Sequence, residues 1–203
     1  MRTELKDFER QGLFEQYHAK DNPFLYVTTK VDITNIYNKC KKYYATIAYF
    51  IAVALNDIDN FKYRYEDGKI YKYDKLNPNF TQMFDDKNIG YFTCQFKDTY
   101  AEFIKEYCCM QDMFQKNQKT YANEDPGEVW CSYVPWYNFS SILTPFDKRI
   151  TIPQFIWDKF SFENDKTYIN LSIMAHHGFV DGYHVGLFIE KFNYIIENLD
   201  SYL

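Results

Sequence analysis

The sequence predicts an α/β protein, a two-layer sandwich of helices on a mixed β-sheet. Three observations carry that expectation. Stretches rich in β-formers fill the middle of the chain, with apolar residues at helical spacing set between them at intervals. Aromatic residues make up 21% of the chain, with 20 Tyr and 19 Phe, and that much ring surface favours a packed sheet-and-helix body over disorder. Near the C-terminus a strand pattern, Thr167-Tyr168-Ile169-Asn170-Leu171-Ser172-Ile173, runs into a helical one. There Val185, Phe188, Ile189, Phe192, Ile195, Ile196 and Leu199 share a face. At 203 residues the chain can bury a sizeable core, and its length makes residues 1–203 a single domain.

In chain order, residues 8–14 predict a first helix, with Phe8 against Leu13 or Phe14. Residues 24–33 predict a strand, and Asp32 or Thr34 is placed to cap the short helix after it. Ile47, Ile51, Ala54, Leu55 and Ile58 make one apolar helical face. Residues 61–65 and 69–73 flank Glu66-Asp67-Gly68, a hairpin signal. Residues 80–84 and 91–96 read as strands, and 98–115 as a helix with Phe103, Ile104, Tyr107 and Met110 inward. Residues 117–127 form a polar loop. Residues 129–134 predict a strand stopped by Pro135, and 150–157 and 168–175 the last two strands.

A net charge of -5 excludes the basic footprint of a nucleic-acid binder. No apolar run approaches the roughly 18 residues of a membrane span, and the start is charged, so a soluble, cytoplasmic protein is expected. The five cysteines, Cys40, Cys94, Cys108, Cys109 and Cys131, contain no Cys-x-x-Cys pair. Neither a disulfide framework nor a metal site is expected of them.

The chemistry concentrates in Met174-Ala175-His176-His177-Gly178-Phe179-Val180-Asp181-Gly182, where the strand passes into the helix. Adjacent histidines on a strand point to opposite faces and are poor joint ligands for one metal. One can face a cleft while the other packs inside; both can also be ordinary, partly buried polar residues. Asp181 stands where the helix begins, so the N-terminal dipole and free N–H groups favour its carboxylate. An imidazole with a pKa near neutrality suits a general base.

The pattern His176-His177-x-x-x-Asp181-Gly182, followed by Tyr183 and His184-Val185-Gly186, resembles the C-terminal signature of the chloramphenicol acetyltransferase family. The shorter His-x-x-x-Asp-Gly is shared across CoA-dependent acyltransferases, and the resemblance runs along nearly the whole chain. It implies the fold of that family, acetyl-CoA as co-substrate and a small-molecule hydroxyl acceptor such as chloramphenicol. Transfer is direct, without an acyl-enzyme or a metal. The resemblance also implies residue roles. His177 is the general base, and Asp181 is structural, paired with Arg10 of Phe8-Glu9-Arg10. Ser132, four residues before Trp136 of Pro135-Trp136, donates to the oxyanion. Trp136 and Phe160 lie along CoA. Gln16, Tyr17, Asp21, Phe92 and Cys94 match the acceptor pocket. The family is trimeric, so a homotrimer with its sites at subunit interfaces is implied.

Two departures stand out. Ile156 occupies the place of a family threonine whose hydroxyl holds a water beside the intermediate, and Gln16 and Asp21 are more polar than an apolar ring calls for. They leave two further readings, an acyltransferase for another hydroxyl compound and a catalytically silent ligand-binding homologue. Dihydrolipoyl acyltransferase cores share the short motif but carry Arg beside the histidine, and this chain has no Arg next to His177.

Overall fold

The computed structural model describes residues 1–122, 126–145 and 147–203. In chain order they form β1 (Arg2–Glu4), α1 (Gln11–His18), β2 (Phe24–Asp32), α2 (Thr34–Lys39), α3 (Tyr43–Asn56), β3 (Tyr63–Glu66), β4 (Lys69–Tyr73) and β5 (Asn77–Met83). Then come β6 (Ile89–Thr93), α4 (Tyr100–Asn117), β7 (Glu128–Tyr133), β8 (Gln154–Trp157), β9 (Ser161–Glu163), β10 (Lys166–His176) and α5 (Gly182–Glu197). The main sheet has the order β2-β10-β8-β7-β5-β6, with β9 on β10. β7 runs parallel to β5 and β8, and the other pairings are antiparallel, so the sheet is mixed as expected. The predicted hairpin is β3-β4, turned by Asp67 and Gly68 at φ 49° and 81°. Positive φ at both turn residues matches the twist of the two strands. β1 adds to β4 in a small separate sheet.

The helices cover one face of the main sheet. α3 packs against β5 and β7 on one side and α4 and α5 on the other. Residues 45–52 are therefore buried without a break, and the single apolar stripe read from the sequence was too narrow. α4 is capped by Thr99, whose hydroxyl accepts from the Glu102 N–H, and it turns Phe103, Tyr107 and Phe114 onto the sheet. Ile104 and Met110 are half-buried. The predicted loop 117–127 overlaps the last residue of this helix, Asn117, and its residues 123–125 lie outside the described ones. No helix among the described residues is long and apolar enough to cross a membrane.

Two boundaries differ in ways that matter below. The first helix starts at Gln11, not Phe8, and continues through Tyr17 to His18. Phe8 and Phe14 both bury against the Phe179 ring, at 5.7 and 4.9 Å, and that shared anchor sets where the chain turns into the helix. β8 begins only at Gln154. Residues 150–153 precede the ladder, where the Pro153 carbonyl accepts from the Trp130 N–H and the Thr151 hydroxyl from the Tyr65 N–H. At the other predicted cap, Asp32 Oδ1 accepts from the Thr34 N–H at 3.0 Å as α2 begins.

Candidate active site

β10, an interior strand, ends at His176, and the chain then folds back over it. The Phe179 and Val180 N–H groups donate to the His176 carbonyl at 2.9 and 3.0 Å. The His177 N–H donates to the Pro23 carbonyl at 2.8 Å. The His177 side chain is half-buried, with Nδ1 3.1 Å from the Val180 carbonyl. A carbonyl only accepts, so Nδ1 carries the proton and Nε2 keeps its lone pair. Tyr17 stacks on this ring, centroids 4.0 Å apart at 22°. The imidazole is thus held in one tautomer and covered on one face.

His176 takes the opposite tautomer. Its Nδ1 accepts from the Gly178 N–H at 3.1 Å, so Nε2 bears the proton and meets His18 Nδ1 at 3.3 Å. Burial, reinforced by His18 and His177, pushes His176 down to about 3, and it is neutral near pH 7. Gly178 lets α1 come this close. A Cβ there would meet the Phe14 Cα at 2.7 Å, inside backbone that cannot move aside.

Asp181 does two things with its two oxygens. Oδ1 accepts from the Tyr183 N–H at 3.0 Å and caps α5. Oδ2 accepts from both Nη1 and Nη2 of Arg10, each at 3.0 Å. The guanidinium therefore grips a single oxygen and leaves the other to the helix. Burial raises the Asp181 carboxyl, but the Arg10 hydrogen bond and the nearby positive charges outweigh it and hold it below the usual range. The two side chains are 22% and 33% exposed. Arg10→Ala or Asp181→Asn should then cost roughly 1–3 kcal/mol, less than a fully buried pair. In a double-mutant cycle on unfolding the losses should be less than additive; strict additivity would show that the pair contributes nothing.

Ser132 lies elsewhere. In register across four strands stand Thr28, Ser172, Ile156 and Ser132, on the sheet face opposite the helices. His177 lies five residues past Ser172 and two strands away from Ser132. Strand rise and spacing put the two about 20 Å apart within one chain. The Pro135-Trp136 corner follows Ser132, and Trp136 is 64% exposed. The Tyr137 carbonyl accepts from the Lys159 N–H, and Asn138 Nδ2 donates to the Lys159 carbonyl, so Trp136 runs beside Lys159-Phe160. Phe160 packs edge-on against Tyr37 and Tyr43 and beside Tyr133. Asp158 holds this corner: it is fully buried and accepts from Asn138 Nδ2, the Phe139 N–H, and both the N–H and Nδ2 of Asn170. Sequence reading missed it, although an acid between Trp157 and Lys159 in an aromatic run signals a buried partner set.

The five pocket expectations divide. Tyr17 faces His177; Gln16 and Asp21 are exposed on and after α1. Phe92 and Cys94 face the core of this chain. Phe92 is fully buried under α4, stacked on Phe80 at 5.2 Å and against Tyr107 and Phe114. Cys94 is fully buried in the same core, and burial pushes its thiol far up. Both turn toward the helix layer, because residues two apart on an extended chain share a face. No group of His, Cys, Asp and Glu among the described residues is arranged to hold a metal.

The family profile described as chloramphenicol acetyltransferase matches residues 1–193. The chain belongs to the chloramphenicol acetyltransferase family. A chloramphenicol acetyltransferase of Staphylococcus aureus is 29% identical over 98% of this chain and 97% of its own length. Chloramphenicol acetyltransferase 3 of Escherichia coli is 25% identical over 93% of this chain and 92% of its own. A solved chloramphenicol acetyltransferase shares the fold at a TM-score of 0.87 and 22% identity, covering 97% of this chain and all of that one. A truncated catalytic core of the 2-oxoacid dehydrogenase multienzyme complex from Thermoplasma acidophilum shares it at 0.70 and 16% identity, covering 96% of this chain and 97% of that one. As a chloramphenicol acetyltransferase family member, the protein is an acetyltransferase whose acetyl donor is acetyl-CoA.

Proposed function

We propose that this chain moves the acetyl group of acetyl-CoA to a hydroxyl of chloramphenicol, with His177 as general base. The observation that carries the reading is the fixed tautomer of His177: Nδ1–H bonded to Val180, Tyr17 over the ring, Nε2 left as the basic atom. A hydroxyl is a weak nucleophile near neutral pH and needs a base aimed at its proton. Nε2 takes that proton as the oxygen attacks the thioester carbonyl. The tetrahedral intermediate collapses to the ester and CoA thiolate, which recovers the proton from the imidazolium. Ser132 donates to the oxyanion, and one such donor contributes about 3–4 kcal/mol. Trp136 and Phe160, on the aromatic corner held by Asp158, carry the CoA arm. The family affiliation and the Tyr17 ring beside the base favour chloramphenicol as acceptor, with Gln16 and Asp21 at the exposed rim.

The separation of Ser132 from His177 within one chain favours a cleft shared between subunits. A base and an oxyanion donor must both reach atoms of one intermediate, which about 20 Å does not allow. We therefore propose the homotrimer of the family, with His177 of one subunit facing Ser132 of the next. Purified protein supplied with acetyl-CoA and chloramphenicol should release CoA thiol only when both are present. Release with other hydroxyl acceptors but not chloramphenicol would replace the acceptor, and no release with any would leave a silent homologue. Light scattering should give a mass near three times the 24.6 kDa of one chain. Full activity at the mass of one chain would overturn the shared cleft.

A further inference from the structure

α1 has only eight residues, and a helix that short is unstable by itself in water. It is held by what it touches. Phe14 packs on Gly178 at backbone distance, and the last two residues, Tyr17 and His18, reach the two adjacent histidines. Tyr17 stacks on His177, and His18 Nδ1 sits 3.3 Å from His176 Nε2. The donors fall into one order. The Gly178 N–H fills His176 Nδ1, His176 Nε2–H points at His18 Nδ1, and neutral His18 accepts there. The His18 ring is itself wedged between Phe14, stacked at 4.9 Å, and Tyr65 at 4.6 Å. Two neighbouring side chains of one short helix thus fasten two neighbouring side chains of one strand end. The His18 bond fixes where the helix ends, and that end is what carries Tyr17 over the base.

We propose that His18 is a positioning residue for His177, acting through its bond to His176 and the placement of Tyr17. The proposal rests on the acetyl-transfer reading above, in which His177 is the base. His18 touches no reacting atom. Removing its acceptor leaves the buried Nε2–H of His176 unpaired and lets the end of α1 shift, so the His177 ring loses its stacked neighbour. Such a shift acts on turnover more than on acetyl-CoA binding, because the aromatic corner around Trp136 is built on other elements.

The test compares His18→Phe, which keeps the ring between Phe14 and Tyr65, with His18→Asn, whose Oδ1 can take the place of Nδ1. Both are read by thermal melting, by kcat and acetyl-CoA KM, and by the proton NMR signals of the His177 ring, assigned with His177→Gln. In the unmutated protein the Tyr17 ring current shifts those signals upfield. His18→Phe should stay folded, lower kcat by about 10-fold or more, and leave acetyl-CoA KM within about twofold; a displacement of ~1 Å at a reacting group can cost up to ~10²-fold. Its His177 signals should move downfield. His18→Asn should recover kcat and the upfield shift. If His18→Phe does not fold, His18→Ala replaces it with the same expectations. Unchanged kcat and ring shift in the variant lacking the acceptor, or equal losses in it and in His18→Asn, would overturn the proposal. If the unmutated protein acetylates no acceptor, the acetyl-transfer reading fails, while the ring shift still decides whether His18 places Tyr17 over His177.

Discussion

His177→Ala is expected to lower turnover by about 10³-fold while leaving the protein folded, since general-base catalysis supplies about 10²–10⁴-fold. The expectation follows from what surrounds the ring. Its Nδ1 proton is committed to the Val180 carbonyl and one face to Tyr17, so Nε2 is the remaining functional atom. The neighbouring histidines do not replace it. His176 is buried with both nitrogens engaged, and His184 sits at the start of α5 with Nδ1 against Asp181. Little stability should be lost, because the half-buried ring hangs from backbone that His177 fixes by its own N–H to Pro23. Steady-state assays at saturating acetyl-CoA, with circular dichroism as a check on folding, decide the matter. A variant that kept most of its turnover would remove His177 from the chemistry and leave it a packed histidine.

Ser132→Ala should reduce kcat by about 10²–10³-fold, the loss typical of one oxyanion donor. Its partner Ile156 brings no hydroxyl to the same register, so no neighbour on β8 takes over the donation. The two variants also test the shared cleft together. Each alone is nearly inactive. If His177 comes from one subunit and Ser132 from the next, random co-assembly in equal amounts restores about a quarter of the sites, because each closed interface draws one residue from each neighbour. Specific activity of the mixed oligomers should rise far above that of either parent. Mixtures that stay at the parental level would mean that each site is built within one chain, contrary to the register that separates the two residues.

The parts of the site that could be read in the sequence are local. Asp181 caps α5 through the N–H of Tyr183, and His177 bonds to Val180, so these contacts span two and three residues. The short range is why their spacing shows in the chain. The Arg10–Asp181 pair spans 171 residues and was reachable only through the family resemblance. His18 and His176 are 158 residues apart, and nothing in the neighbourhood of His18 distinguishes it from a surface histidine. The burial of Phe92 and Cys94 was hidden for a different reason. Alternation shows that they share a face, but it does not say whether that face meets α4 or the open side of the sheet. Asp158 is likewise defined by Asn138, Phe139 and Asn170, partners supplied by separate segments.

By itself, then, the sequence determined the alternation of strands and helices, the hairpin at Asp67-Gly68, and the placing of His177 and Asp181 at a strand-to-helix junction. Each of these rests on backbone preferences and side-chain periodicity, which act over a few residues. The tertiary structure decided that α3 is enclosed on all sides and that α1 ends in the Tyr17-His18 clamp. It also decided that Ser132 stands with Ile156 and Ser172, far from the histidine of its own chain. Those outcomes depend on strand order and register, set when distant segments compete to bury the same apolar surface, and no local pattern records which of them meet.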